Sequence, residues 1–161
     1  MNELAYLETS IFSFYYDARA VPSVIARREW TQEWWKMYRS QYTLITSTAV
    51  YDELRRGNKP QKDQALTLAL TIPAVMPTNA ISEIVQVYIK QYLMPKDPIG
   101  DALHLALASY HTCEYLLTWN CDHLANAHKF AHIRRINTLL GLHVPVVVTP
   151  LELMGEISDE R

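Results

Sequence analysis

Glycine and cysteine are scarce in this chain, four and two among 161 residues. So few glycines, beside eight prolines, argue against an all-β fold built on tight turns. Cys113 and Cys121 are too few for a disulfide scaffold and too far apart for a zinc knuckle, so both are read as reduced thiols of a cytoplasmic protein. No apolar stretch approaches the roughly 20 residues of a membrane span. The opening Met-Asn-Glu has no basic start, so no targeting segment is expected. Charge excess is missing too: 15 Lys and Arg against 17 Asp and Glu leave a formal −2. That is not the balance of a strong nucleic-acid binder, so any such contact must come from local basic patches. Internal repeats, linkers and low-complexity segments are absent. What remains is a globular composition, 49% hydrophobic and 20% charged, long enough for one domain with a real core. That domain is expected over residues 1–156, with 157–161 frayed.

The apolar pattern alternates between strands and helices. Leu4–Leu7 reads as a central strand, with Thr9 or Ser10 capping the aromatic turn or helix Ile11–Tyr16. Pro22 opens a long helix to about Gln41, on which Trp30, Trp34 and Tyr38 form one stripe, either core or a groove for a partner helix. Tyr42–Thr46 is a second strand. Ser47 starts a helix that stops near Gly57, and Pro60 starts another to about Thr71. Ile72–Met76 is a possible short strand. Thr78 caps an amphipathic helix marked by Ile81, Ile84, Val85, Tyr88, Ile89 and Tyr92. Asp97 and Pro98 signal the start of a helix that is apolar nearly all round. Tyr115–Trp119 is a buried strand, Asp122–Ala127 a short helix, Phe130–Leu140 another helix stopped by Gly141, and Val144–Val148 the last strand. Thr149-Pro150-Leu151-Glu152 fits a capping box that opens a final helix. The alternation predicts an α/β three-layer sandwich, with a central, mainly parallel sheet of four to five strands flanked by helices.

The acids then acquire positions. Asp101 sits in the first turn of the apolar helix, where a buried carboxylate is expensive unless paired, protonated or bound to a metal. Glu8 ends the first strand. Glu53 shares a helix face with Val50 and Leu54, whereas Asp52 is rotated away. Asn120 follows the strand after the Asp101 helix, with Asp122 two residues on. Sites in open parallel sheets form at the carboxyl ends of the strands, so these four segments can converge. Clustered carboxylates repel unless a cation sits among them. Oxygen donors without a His or Cys pair at ligand spacing suit Mg²⁺ or Mn²⁺, with Glu8, Glu53 and Asp101 as ligands and either Asn120 or Asp122, which can equally be only a helix cap, as the fourth. Such a site is the usual equipment for hydrolysing a phosphodiester. The bland alternative is a set of scattered surface charges and caps.

Four segments in this order carry a resemblance: Tyr6-Leu7-Glu8-Thr9-Ser10, Ser47 with Glu53-Leu54, Asp101-Ala102-Leu103-His104-Leu105-Ala106-Leu107-Ala108, and Leu116 through Leu124. Together the chain resembles a PIN-domain protein of the VapC toxin type over roughly residues 4–150. The resemblance implies a Mg²⁺- or Mn²⁺-dependent endoribonuclease, a toxin held by a cognate antitoxin and often a homodimer. It implies Glu8, Glu53, Asp101 and Asn120 as the catalytic set, with Glu53 and Asp101 matching the second and third acids. The family's first acid is usually Asp, and here it is Glu8. The fourth is usually acidic, and here it is Asn120, which brings no charge and cannot act as a base. An RNA phosphodiester would be cut in line by metal-activated water, leaving a 5′-phosphate and a 3′-hydroxyl.

Thr9, Ser10 and Thr118 are candidates to hydrogen-bond ligands or phosphate, and Arg55 and Arg56, with Lys59 and Lys62, to guide an RNA backbone. His128, Lys129, His132, Arg134 and Arg135 form a second basic patch. His104 reads first as a satisfied buried histidine, second as a donor to a carboxylate or RNA. Competing readings are a degenerate PIN domain that binds RNA or protein without cutting, a structure-specific DNA nuclease, and a phosphoacceptor receiver domain, for which no late lysine fits.

Overall fold

Runs rich in branched and aromatic residues form the strands, and their alternate side chains enter two separate cores. The computed structural model describes residues 2–91, 100–120 and 127–159. In chain order the elements are β1 (Glu3–Leu7), α1 (Thr9–Tyr15), α2 (Pro22–Met37), β2 (Tyr42–Ser47), α3 (Thr48–Arg56), α4 (Lys62–Ala69), β3 (Ala74–Val75), α5 (Asn79–Lys90), α6 (Asp101–Tyr110), β4 (Tyr115–Leu117), α7 (Ala127–Leu140), β5 (Val146–Val148) and α8 (Pro150–Asp159). The sheet runs β3-β2-β1-β4-β5 and every pair is parallel.

On one face Tyr6, Leu116 and Val147 pack with Ile81, Val85, Tyr88, Ile133 and the apolar length of α6. On the other, Ala5, Leu7, Leu44, Leu117 and Val148 meet Phe12, Trp34, Trp35, Val50, Leu54 and Met154. The result is the three-layer α/β sandwich that the alternation predicts. Within the aromatic stripe of α2, Trp34 is fully enclosed, while Trp30 and Tyr38 are half-buried against the same core; Trp35, beside the stripe, is also buried. Trp30 stacks on Trp119, with ring centroids 6.0 Å apart.

Local details differ where side chains override simple start signals. Glu8, rather than Thr9 or Ser10, is the N-cap of α1; its carboxylate accepts from the Ser10 amide at 3.0 Å. The long helix ends at Met37 and tightens into a single 3₁₀ turn over Arg39–Gln41. Helix α4 starts two residues after Pro60. Ser47 and Thr78 do cap α3 and α5. Thr149 and Glu152 form the reciprocal capping box, at 2.9 and 3.2 Å. Gly141, with φ +69°, stops α7 in the left-handed conformation that glycine tolerates. Tyr92, the Asp97–Pro98 start signal, Cys121, Asp122 and the short helix expected there lie outside the described residues.

Candidate functional site

Strand β1 is where the sheet's order reverses, with β2 on one side and β4 on the other. A crevice opens beyond the carboxyl ends of strands at such a switch point. Leu7 pairs with Leu117, and the Glu8 amide donates to the Leu117 carbonyl at 3.1 Å. Register therefore brings Glu8 beside Thr118, and it fixes the buried carboxylate at the centre of the rim.

Two hydrogen-bonded arms meet there. The first starts at Glu8. Its Oε1 accepts from the Ser10 amide, from the Ser10 hydroxyl and from Thr118 Oγ1, the last at 2.7 Å. Among the described residues Oε2 has no hydrogen-bond partner. Ser10 Oγ in turn accepts from the Trp119 amide at 2.8 Å, and Thr118 Oγ1 from the Asn120 amide at 3.0 Å. Those two bonds fold the chain after β4 so that Asn120 Nδ2 donates to Asp101 Oδ1 at 2.8 Å. Asp101 is the first residue of α6.

The second arm runs through the core. Ser47 Oγ, the cap of α3, lies 2.8 Å from the Tyr6 hydroxyl, which lies 2.7 Å from His104 Nδ1. His104 Nε2 bonds Glu53 Oε1. His104 is 1% exposed. Burial opposes its charge, but the Glu53 hydrogen bond and the charges of Glu53, Glu8 and Asp101 outweigh burial, so its pKa lies above the ordinary imidazole value. Burial drives the Tyr6 hydroxyl well above its usual range, with the charges of Glu8 and Glu53 adding to the effect, so it stays protonated. Tyr6 is therefore a fixed link between the cap of α3 and the imidazole of α6.

Ligand-type atoms of Glu8, Glu53 and His104 all lie within 4.8 Å of one another. Their donor set is two carboxylates and an imidazole, and the free Oε2 of Glu8 is an oxygen still available to a cation. Two carboxylates and an imidazole this close can together hold a divalent cation. Asp101 stands one turn before His104 on α6, near enough for its charge to act on the imidazole.

Asp52 points to solvent and pairs with Arg55 at 3.6 Å, while Glu53 turns inward. Arg55 and Arg56 are exposed. A hollow of about 200 Å³ beside Glu53 is lined by Thr9, Lys59 and Lys62; Thr9 Oγ1 is buried there without a hydrogen-bond partner. The α7 residues His128, Lys129, His132, Arg134 and Arg135 range from exposed to half-buried. Tyr6 and Ser47 escape the sequence reading as parts of the site. The available signal was a tyrosine inside an otherwise apolar strand, since a buried hydroxyl needs a partner.

The fold is that of a PIN-domain protein of the VapC type. A toxin–antitoxin complex from Klebsiella pneumoniae shares it with TM-score 0.56 and 18% identity, over 91% of this chain and 97% of that one. VapC20 from Mycobacterium tuberculosis, a Sarcin-Ricin loop cleaving toxin, gives 0.54 and 16% over 70% and 86%. VapBC2 from Rickettsia felis, bound to a DNA fragment from its promoter, gives 0.56 and 13% over 91% and 98%. No protein-family profile matches the chain, and no curated protein sequence matches it. Among the described residues no helix is long and apolar enough to cross a membrane.

Proposed function

We propose that this chain is a divalent-metal-dependent endoribonuclease and the toxin of a toxin–antitoxin pair. The observation that carries the reading is the convergence of Glu8, Glu53 and His104 within 4.8 Å at the switch point of a VapC-type sheet, with Asp101 tied to the same rim through Asn120. Glu8, Glu53 and Asp101 would hold Mg²⁺ or Mn²⁺, with Asp122 a further candidate. The ion, when bound, would activate water, orient the scissile phosphate and neutralise charge on the leaving oxygen. The protein's own groups position these acids. Ser10 and Thr118 immobilise Glu8, Asn120 orients Asp101, and His104 orients Glu53 while offsetting part of the negative charge. Thr9, Arg55 and Arg56 would contact the RNA backbone. A cognate antitoxin, a homodimeric state and a cytoplasmic setting belong to this proposal. The names of the structural neighbours support the antitoxin.

A second reading is a PIN domain that binds RNA or a protein without cutting. Asn120 favours it, because its amide replaces a carboxylate and is committed to Asp101. Cleavage of matched RNA and DNA oligonucleotides with Mn²⁺, by wild type and Asp101→Asn, decides between them. The nuclease reading expects Mn²⁺-dependent cleavage of RNA over DNA, with 5′-phosphate products, and its loss in a variant that melts like wild type. Equal cleavage by Asp101→Asn refutes the assignment of Asp101. Metal binding without cleavage by wild type supports the binding module.

A further inference from the structure

We propose that the cleft next to the acidic centre is a nucleotide subsite, in which Tyr16 stacks a base of single-stranded RNA and Lys59 carries the phosphate linking it to the nucleotide at the centre. The inference rests on the nuclease reading and adds where the strand runs. The cleft encloses about 650 Å³ between Tyr16 and Arg19 on one side and Asn58, Lys59 and Gln64 on the other. That volume lies within the range of about 300–1,000 Å³ usual for small-molecule sites. Lys59 also lines the smaller hollow that contains Glu53 and the unpartnered Thr9 hydroxyl. One lysine thus borders both the candidate chemistry and the larger space, so a strand leaving the acids by this route meets Lys59 first.

The charges suit a polyanion. Among the described residues no acid lies within 4 Å of Lys59 or Lys62 as an ion pair. The one carboxylate in the cleft, Asp17, is buried and already engaged by Arg19 through Nε at 3.0 and 3.2 Å and Nη2 at 2.7 Å. Its charge is met chiefly by Arg19, and Lys59 adds only a weaker attraction from beyond ion-pair distance. The Tyr16 ring leans on Tyr15, with centroids 4.8 Å apart, which fixes it as a platform. Asn58 and Gln64 are exposed, and their amides make no hydrogen bonds among the described residues, leaving donors and acceptors for a base edge. The walls are preformed. Gln61 Nε2 holds the Ser13 carbonyl at 3.2 Å, and Arg28 holds the Asp17 carbonyl at 2.8 Å. An aromatic ring beside a backbone-tracking cation is the arrangement that binds single strands with little sequence preference.

The test uses the full chain carrying Asp101→Asn as the parent, so that RNA is not cut. The probes are a short fluorescein-labelled single-stranded RNA and its fully abasic counterpart, followed by anisotropy. Tyr16→Ala should weaken RNA binding about ten-fold, with no difference on the abasic strand, and Tyr16→Phe should bind like the parent. Lys59→Ala should lower the slope of log affinity against log salt by about 0.7. If Tyr16→Ala binds RNA like the parent, or loses equally on the abasic strand, the subsite is wrong. Wild type that fails to cut RNA with Mn²⁺ defeats the nuclease reading instead, and the stacking result then decides the cleft by itself.

Discussion

Replacing His104 with leucine separates the charge balance of the site from its packing. Leucine is close in volume, so the loss falls on the polar partners rather than on a cavity. Tyr6 would lose its 2.7 Å bond to Nδ1 but keep Ser47 at 2.8 Å, a loss of about 0.5–1.5 kcal/mol. Glu53 would lose a charge-assisted bond, worth about 1.5–3 kcal/mol when buried. Its side chain is 23% exposed, so water recovers part of that. The expected total is about 2–4 kcal/mol, or about 5–15 °C in Tm for a chain of this size. Calorimetry in EDTA measures it. Because folded His104 holds its proton above the ordinary value, its contribution is complete below the unfolded pKa of about 6.5. It is lost as pH rises through the folded pKa. Wild type in EDTA should therefore lose stability above neutrality, and His104→Leu should not show that fall. Without the imidazole, Glu8 and Glu53 repel more strongly, so Mn²⁺ should raise the Tm of the variant more than that of wild type. His104→Gln, which restores a donor, should recover part of the loss. A His104→Leu protein that melts within about 1 °C of wild type in EDTA, with the same pH profile, refutes the reasoning.

Burial pushes the Cys113 thiol up to about 12, so at pH 8 it should resist iodoacetamide in the native protein and react only after unfolding; a modified native peptide containing Cys113 would contradict this. Tyr88→Phe removes a hydroxyl that bonds Asn137 Oδ1 at 2.6 Å and Ser109 at 3.3 Å inside the core. It should lower stability by about 1–3 kcal/mol while RNA cleavage well below the melting point persists, and an unchanged Tm would show that the network contributes nothing.

Those parts of the fold that depend on local chemistry could be read from the residues. The choice of Glu53 over Asp52 follows from which side of α3 carries Val50 and Leu54, and the Thr149–Glu152 box from residue types three apart. The parallel sheet follows from alternation. Contacts made by register or by distant packing could not be read. Tyr6 and His104 are 98 residues apart, and no spacing rule joins a strand tyrosine to a helix histidine. That Glu8 caps its own helix depends on the sharp turn out of β1. Tyr16 carries no signal at all, because the cleft that gives it meaning is assembled by the loop before α4.

Glu8 and Asn120, the two departures from the acidic pattern of the family the chain resembles, have a shared physical logic. Glu8 is one methylene longer than aspartate, and a longer side chain is usually looser. Here three donors converge on Oε1, so the added reach leaves Oε2 directed but not mobile. At the fourth position a carboxylate could only accept, and it would repel Asp101. Asn120 donates, and so it can hold Asp101 at 2.8 Å. The rim then contains three carboxylates with a buried imidazole among them rather than four carboxylates. Its self-repulsion is smaller before any ion arrives, since one negative charge is absent and His104 is biased toward its cation. A site with less stored repulsion depends less on the metal to remain folded. The preorganised acids can therefore persist without an ion, and removing His104 should make the fold respond more strongly to added Mn²⁺.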